Sequence, residues 1–171
     1  MMDTVSKEIF RAALSQLAAG VSIVTTALND ARRGVTATAV CSVSAEPAMV
    51  LACINRNTGT FKMISDIRLF AVNFVSQRHF GVAEVFAGRT GVQGESRFDP
   101  EDWTFGSRLQ VPVLQGAATT LECEVHQIVD AGTHGVVIGL VQHASVVNID
   151  PLLYHGGRFC SLYQDSAHAA S

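Results

Sequence analysis

The sequence predicts a mainly β domain, in which an antiparallel barrel or sandwich carries two or three short peripheral helices. Some six or seven β-branched runs of strand length follow one another through short turns, without a regular alternation of strands and helices. The 171 residues are 48% hydrophobic and 16% charged, which suits a single domain over residues 1–171 and excludes a disordered chain. A doubly wound parallel sheet is the weaker alternative.

The amino-terminal part is predicted to be one helix followed by three strands. Apolar residues recur at helical spacing from Ile9 to Leu17. Ser6 or Thr4 can cap this helix, and Gly20 can end it. Residues 29–34 supply turn chemistry between the first two strands. The predicted strands are residues 21–27, 35–43 and 49–54.

The rest of the chain is predicted to be strands with two short helices. Residues 58–65 are predicted to be a short helix or a turn and residues 79–87 a helix, and the strands are residues 70–75, 119–129, 136–147 and 159–163. In residues 119–129, apolar side chains alternate with polar ones, which predicts one buried and one solvated face. Residues 89–111 are glycine-rich and polar, which predicts a long surface excursion.

Charge and hydropathy exclude several classes of protein. Twelve basic and fifteen acidic residues give a net charge of −3, and the densest basic pair is Arg32 with Arg33. A nucleic-acid partner is not expected, because such binding needs a basic patch. No apolar stretch reaches the ~18–20 residues of a membrane span, and polar residues interrupt the only candidate signal peptide.

The cysteines and the absent motifs narrow the chemistry further. The four cysteines lack metal-ligand spacing and are expected to be buried, reduced thiols of a cytoplasmic protein: Cys41, Cys53, Cys123 and Cys160. The six histidines form no HExxH pair, and no nucleophile elbow, phosphate loop or dinucleotide fingerprint occurs. The sequence therefore predicts no metal site and gives no support to a hydrolase.

Two segments have side chains that suit a ligand. Residues 34–44 carry small or hydroxyl side chains on both faces, including Thr36, Thr38 and Ser42, so a flat ligand can approach the backbone closely. A strand that faces a helix explains this pattern equally well. Asn55, Arg56 and Thr58 follow a buried strand and can clasp a phosphate, although a capped turn uses the same residue types.

Across these segments the chain resembles the flavin reductase family with the FMN-binding split-barrel fold. It is most similar to the small reductase components of two-component flavin-dependent monooxygenases, such as those that serve hydroxyphenylacetate hydroxylation. The resemblance covers about nine-tenths of the chain, with a core of about residues 8–164. The matching residues are Phe10 and Arg11, 20–26, 34–44 with Pro47, 53–58, 70–74, Arg97 and Phe98, 112–114, 121–123, 132–134 and Tyr154.

The resemblance implies a homodimeric NAD(P)H-dependent flavin reductase with an antiparallel split β-barrel. The expected acceptor is FMN or FAD, the expected donor is NADH or NADPH, and a separate oxygenase is the expected partner. His134 is expected to position the nicotinamide. The alternative is a purely structural histidine at a strand end, hydrogen-bonded to the backbone. The residues expected to bind flavin are Thr36, Ala37, Thr38, Ala39 and Ser42 at the ring and ribityl chain, Asn55, Arg56, Asn57 and Thr58 near the phosphate, and Phe98 over the outer part.

Three alternatives remain at this stage. The same family includes reductases of other acceptors, such as corrin cobalt or ferric chelates, and the fold alone does not separate them. A flavin-binding protein without turnover is a second alternative, and a non-enzymatic interaction barrel is a third. Glu46 before Pro47, where the family more often has a second proline, and Asn57, where serine is common, depart from the family pattern.

Overall fold

A computed structural model describes residues 4–162 of the chain. Its centre is a seven-stranded antiparallel sheet in the order β3-β2-β6-β9-β10-β5-β4. The strands are β1 Ala19–Gly20, β2 Ser22–Leu28, β3 Ala31–Ala37, β4 Val40–Ala45, β5 Ala48–Asn55, β6 Leu69–Phe74, β7 Trp103–Phe105, β8 Pro112–Leu114, β9 Thr119–Ala131, β10 His134–Val146, β11 Leu153–His155 and β12 Arg158–Cys160. The helices are α1 Lys7–Ser15, α2 Gly59–Ile67 and α3 Phe80–Phe86, with 3₁₀ turns at Gln77–His79 and Gly94–Arg97.

The mainly β, antiparallel prediction is confirmed, and the first helix begins where the sequence indicates. The Ser6 hydroxyl accepts a hydrogen bond from the Ile9 N–H at 3.3 Å, so Ser6 is the N-cap of α1. The predicted end at Gly20 is wrong, because α1 ends at Ser15. Gly20 instead belongs to β1, where it pairs with Leu153 of β11.

The prediction of one strand over residues 35–43 is wrong, because the chain here forms parts of two strands, β3 and β4, at opposite edges of the sheet. The ladder of β3 with β2 ends at Ala37, and the ladder of β4 with β5 begins at Val40. Thr38 and Ala39 lie between the two ladders, and we call this crossing the seam. The Ala39 carbonyl still accepts a hydrogen bond from the Cys53 N–H at 2.9 Å.

The turn before β3 is shorter than the predicted 29–34. Asn29 has a φ of 53°, a left-handed conformation that asparagine tolerates in tight turns. The strand then starts at once, since Arg33 pairs with Thr26 and Gly34 with Thr25. The basic pair that resembled part of a turn therefore lies on a strand.

Two apolar clusters fill the molecule, one on each side of β2. Adjacent side chains of a strand point to opposite faces, so Ile23 joins one cluster and Val24 the other. The cluster of Ile23 also contains Phe98 and Trp103, both nearly fully buried. The prediction that residues 89–111 form only a surface excursion is therefore corrected, because this segment supplies aromatic rings to the core.

The predicted polar face of β9 is also only partly exposed. Cys123 and Val125 are buried as expected, but Glu122 is buried as well, with 1% of its surface exposed. Its carboxylate accepts hydrogen bonds from the backbone N–H groups of Leu109, at 2.6 Å, and Arg108, at 3.1 Å. The last predicted strand corresponds to β12, and Tyr163 lies outside the described residues.

The thiols and the helices complete the description. All four cysteines are free, but only Cys123 is fully buried, while Cys41 is exposed and Cys53 and Cys160 are partly covered. Burial and then the neighbouring Glu122 charge raise the pKa of the Cys123 thiol to about 12. Within residues 4–162, no helix is long and apolar enough to cross a membrane.

Candidate functional site

A groove runs from the seam to the start of α2 and along α3. At the seam its volume is about 240 Å³, lined by residues that include Thr36, Ala37, Thr38, Ala39, Asn55 and His134. Val35 lines this space too, and it also lines a second space of about 360 Å³ next to α2. Thr36 and Thr38 line a third space of about 240 Å³ next to Tyr154. These three neighbouring spaces share lining residues, and together we call them the groove, with a seam end, a basic end and an aromatic side.

The seam end unites residues that are far apart in the sequence. His134 is the first residue of β10, and its Cα partner on the neighbouring strand is Asn55 at the end of β5. The crossing of Thr38 and Ala39 lies beside them. Because these two amides belong to neither ladder, their N–H groups are suitable donors for a polar ring edge.

Thr36 has a structural contact as well as a place in the groove. Its hydroxyl donates a hydrogen bond to the Ala83 carbonyl of α3 at 2.8 Å. This bond fixes β3 against the helix, so a strand that faces a helix and a strand that lines a groove are both correct descriptions. The hydroxyl proton is engaged, and we expect the backbone here to do most of the ligand binding.

His134 is exposed and is oriented by its neighbour. Its Nδ1 lies 2.9 Å from the Thr133 hydroxyl oxygen. This contact is with a side chain, whereas a purely structural role predicted a hydrogen bond to the backbone. Nε2 is the ring nitrogen left for a ligand. Cys53 lines the same end of the groove, and burial, followed by the nearby Cys41, raises the pKa of its thiol.

The basic end of the groove contains Thr58, which the sequence predicted as a phosphate contact, and two arginines that it did not. Arg33, Arg97 and Thr58 line it together with the first residues of α2, Gly59 and Thr60. Burial, and then repulsion from Arg33, lower the pKa of Arg97. The signals were present: Arg97 belongs to a matched motif, and Arg33 to the only basic pair.

Thr58 takes part mainly as a helix cap. Its hydroxyl accepts a hydrogen bond from the Phe61 N–H at 3.1 Å and donates one to the Asn55 carbonyl at 2.8 Å. The amides of Gly59 and Thr60 at this positive helix end, with two guanidinium groups beside them, suit an anionic group such as a phosphate.

Four predicted residues lie outside the groove: Arg56, Asn57 and Ser42, and Phe98, which is described below. Arg56 and Asn57 line a separate, open pocket of about 670 Å³ against α2, where Arg56 forms an ion pair with Asp130 at 3.3 Å. Ser42 is exposed on β4, away from the groove lining. Contacts of Arg56, Asn57 and Ser42 with flavin remain predictions that the geometry does not favour.

Phe98, predicted to lie over the outer part of the flavin, is almost fully buried, with 2% of its surface exposed. It packs edge-on against Phe86 at 5.0 Å and Trp103 at 5.2 Å between ring centroids, and the Arg32 guanidinium lies 4.9 Å from its centroid. Phe98 therefore supports Phe86, which lines the groove, and its contact with flavin stays a prediction that its burial does not favour.

On the aromatic side of the groove, Arg89 contacts both Tyr154 and Phe159. The Arg89 guanidinium donates a hydrogen bond to the Tyr154 hydroxyl at 2.9 Å and lies 5.1 Å from the centroid of the Phe159 ring. Glu84 pairs with the same guanidinium at 3.5 Å. These rings form an apolar wall beside Thr36 and Thr38, as expected for a site that receives a flat heterocycle.

Known flavin reductases are similar to this chain in sequence and in fold. A profile described as the flavin reductase like domain matches residues 14–163. The chain is 38% identical to the FMN reductase (NADH) RutF 2 of Methylorubrum extorquens, with 92% of this chain and 90% of that one covered. It is 36% identical to the 4-hydroxyphenylacetate 3-monooxygenase reductase component of Pseudomonas aeruginosa, with 90% of each covered. A solved structure of the Streptomyces globisporus NADH:FAD oxidoreductase SgcE6, in complex with NAD and FAD fragments, superimposes with a TM-score of 0.86 at 27% identity and covers 96% of this chain and 99% of that chain.

Proposed function

The chain belongs to the flavin reductase family, and from this membership we propose that it transfers hydride from NAD(P)H to FMN or FAD and releases the reduced flavin to a separate oxygenase. The observation that carries the proposal is the groove, which joins a backbone-lined seam to a basic end. When bound, the flavin supplies the redox chemistry, since its ring accepts the hydride. The chain then needs no metal or nucleophile of its own.

The donor set of the groove fits a flavin phosphate. Arg33, Arg97 and the first amides of α2 converge on the basic end. A phosphate carries about −1.5 to −2 charges near neutral pH and prefers guanidinium and helix N-terminal donors. We propose that these groups, rather than Arg56 and Asn57, hold the phosphate.

At the seam, we propose that Thr36, Ala37, Thr38 and Ala39 bind the ring and the ribityl chain. The small side chains allow the ring to lie close to the backbone. The N–H groups of Thr38 and Ala39 can donate to the ring edge and stabilise the negative charge that builds up on reduction. Positioning the nicotinamide ring against the flavin ring supplies much of the rate enhancement of hydride transfer.

We propose that His134 positions the nicotinamide, with Nδ1 held by Thr133 and Nε2 free to meet the carboxamide. His134→Ala should raise the KM for NADH about tenfold, the loss of one polar contact worth about 1.4 kcal/mol, and leave flavin affinity unchanged. Steady-state kinetics and flavin titrations measure the two quantities. His143→Ala, on the same strand, is the matched control, and unchanged NADH kinetics in the His134 variant would contradict this role.

Our proposals for the hydride donor, the flavin acceptor and the partner protein are drawn from the relatives. Names of similar proteins include an FMN reductase (NADH), an NADH:FAD oxidoreductase and a monooxygenase reductase component. We propose NADH as the first donor to test against NADPH, FMN and FAD as competing acceptors, and a flavin-dependent oxygenase as the consumer. Free cysteines suit the cytoplasm, which we propose as the location.

We also propose a homodimer. The family resemblance implies one, and the outer face of the sheet offers an apolar surface, with Val43 of β4 45% exposed and Met49 and Leu51 of β5 half-buried. Light scattering on the full chain, compared with the 18.2 kDa of one copy, tests this.

The test of the function is a turnover assay. Catalytic amounts of the protein should oxidise NADH continuously when FMN, FAD or riboflavin is added, with NADPH compared alongside. A single stoichiometric reduction would instead identify a flavin-binding protein without turnover. A colourless protein that binds no flavin and oxidises no nucleotide would reject the proposal. Corrin cobalt and ferric chelates, added in place of flavin, test the other acceptors.

A further inference from the structure

Glu95 lies beside the basic end of the groove, in contact with Arg32 and with the groove residue Arg33. The carboxylate accepts hydrogen bonds from the Arg32 backbone N–H at 2.7 Å and from Arg32 Nε at 2.9 Å. It also pairs with the Arg33 guanidinium at 3.4 Å. Since Arg33 lines the groove, an anion that belongs to the protein already offsets part of the positive charge offered to a ligand.

The position of Glu95 is fixed by its chain neighbours. Gly94 lines the groove with a left-handed φ of 63°, and Arg97 lines it again three residues on. Arg97 is anchored by a hydrogen bond to the Gly34 carbonyl at 3.1 Å and lies 4.8 Å from the centroid of the Phe86 ring. Glu95 is therefore held between two groove residues.

The carboxylate is also kept ionised. Its partial burial opposes ionisation, but the hydrogen bonds from Arg32 and the charges of Arg32 and Arg33 outweigh this and lower the pKa of Glu95. A negative charge therefore stays beside the site over the neutral pH range.

We propose that Glu95 is an internal counter-anion that weakens the binding of a flavin phosphate and so keeps flavin an exchangeable substrate. This rests on the proposed function. The attraction of the phosphate to Arg33 and Arg97 is offset by its repulsion from the carboxylate. Riboflavin has the same ring without the phosphate, so its affinity does not depend on Glu95. The residue thus sets the ratio of FMN to riboflavin affinity.

Loose binding has a direct use in this reaction. A reductase that delivers reduced flavin to a second protein must release it in each cycle, and differences in affinity between related complexes lie mostly in the dissociation rate. Full neutralisation of the phosphate by two unopposed arginines would slow that release.

The test is Glu95→Gln, which removes the charge and keeps an oxygen that can accept the Arg32 N–H. Titration of FMN and riboflavin into wild type and variant, followed by flavin fluorescence, gives both dissociation constants. We expect the FMN constant to fall roughly three- to tenfold and the riboflavin constant to stay the same. Added salt should shrink the FMN difference, because it screens a partly exposed charge.

The controls separate charge from geometry. Glu124→Gln removes the same charge from an exposed position on β9 and should leave both constants unchanged. Glu95→Asp keeps the charge and should bind FMN much as wild type does. Equal tightening of both flavins, unchanged FMN affinity or weaker FMN binding in Glu95→Gln would overturn the proposal. Wild-type protein that binds neither flavin would contradict the proposed function itself.

Discussion

Two loops of this protein are each held in place by one glutamate, the β7–β8 loop by Glu122 and the α3–β7 loop by Glu95. The two carboxylates differ in their burial and in their hydrogen-bond partners. Glu122 is 1% exposed and accepts backbone amides of the β7–β8 connection. The side chain of Glu95 is 44% exposed and binds arginines beside the groove. A buried carboxylate that gives up its amide partners leaves a charge and two amides without hydrogen bonds, so it is a structural anchor. An exposed carboxylate among guanidinium groups can share them with a ligand.

The difference shows where the molecule can respond to a ligand. Around Glu122 the donors are main-chain groups fixed by the hairpin, in which the Gly106 N–H donates to the Val111 carbonyl at 2.8 Å. Around Glu95 the donors are long side chains, and salt or an anion can compete for them. The first region should respond to mutation mainly in stability, and the second mainly in ligand affinity.

The largest expected effect tests whether residues 89–98, the segment that contains Glu95, are anchored in the core by Phe98. Phe98→Ala should lower the free energy of unfolding by about 4 kcal/mol, since it leaves a cavity beside Phe86 and Trp103. Urea denaturation without flavin measures this. Val92→Ala, an exposed apolar residue of the same segment, is the control and should change little. A loss below about 1 kcal/mol together with lost FMN binding would instead support Phe98 as a flavin contact.

The second effect concerns the structural anchor. Glu122→Gln keeps the shape but replaces a charged acceptor of the Leu109 and Arg108 amides, and should cost about 2 kcal/mol of unfolding free energy. Urea denaturation at low and high salt measures it, and we expect the loss to persist in salt because the site is buried. Glu124→Gln, on the same strand and exposed, should cost under about 0.5 kcal/mol. Equal losses in the two variants would remove the distinction.

A smaller effect is expected from pH, at a second buried polar cluster near the β8–β9 connection. His79 is held by the Ser76 hydroxyl at 2.9 Å and the Gln115 carbonyl at 3.1 Å. Burial lowers its pKa, the Arg78 charge acts in the same direction, and the bond to Gln115 opposes both.

The sign of the pH effect follows from that lowered pKa. Below about pH 6.5, the ordinary histidine value, the unfolded chain takes up the proton before the folded one does. Stability is therefore full above this pH and falls as the pH drops towards the folded pKa. Urea midpoints across this range measure the slope, and His79→Gln should flatten it. A slope that is the same in both proteins would place the titration elsewhere.

The smallest expected effect completes the comparison. Glu95→Gln should change the free energy of unfolding by no more than about 0.5 kcal/mol, because exposed ion pairs contribute little to stability. The same denaturation experiment measures it. A loss as large as that of Glu122→Gln would make Glu95 a structural anchor like Glu122.

Much of the fold could be read from local sequence. β2, β5, β6, β9 and β10 occur close to their predicted bounds, since β-branched runs and alternation act within a few residues. The break at Thr38 and Ala39 could not be predicted, because it depends on β3 and β4 finding different partners at opposite edges of the sheet. The burial of Glu122 and Phe98 likewise depends on contacts with distant segments.

By itself, the sequence determined the family, the mainly β class and the small-residue segment beside the groove, because these lie in composition, order and motif. Only the tertiary structure decided which polar residues share the site. It brought His134 to Asn55 across two strands and Arg33 and Arg97 to the start of α2, while Arg56 and Asn57 face another surface. Side-chain direction at a strand end or helix start depends on register and crossing, which long-range pairing sets.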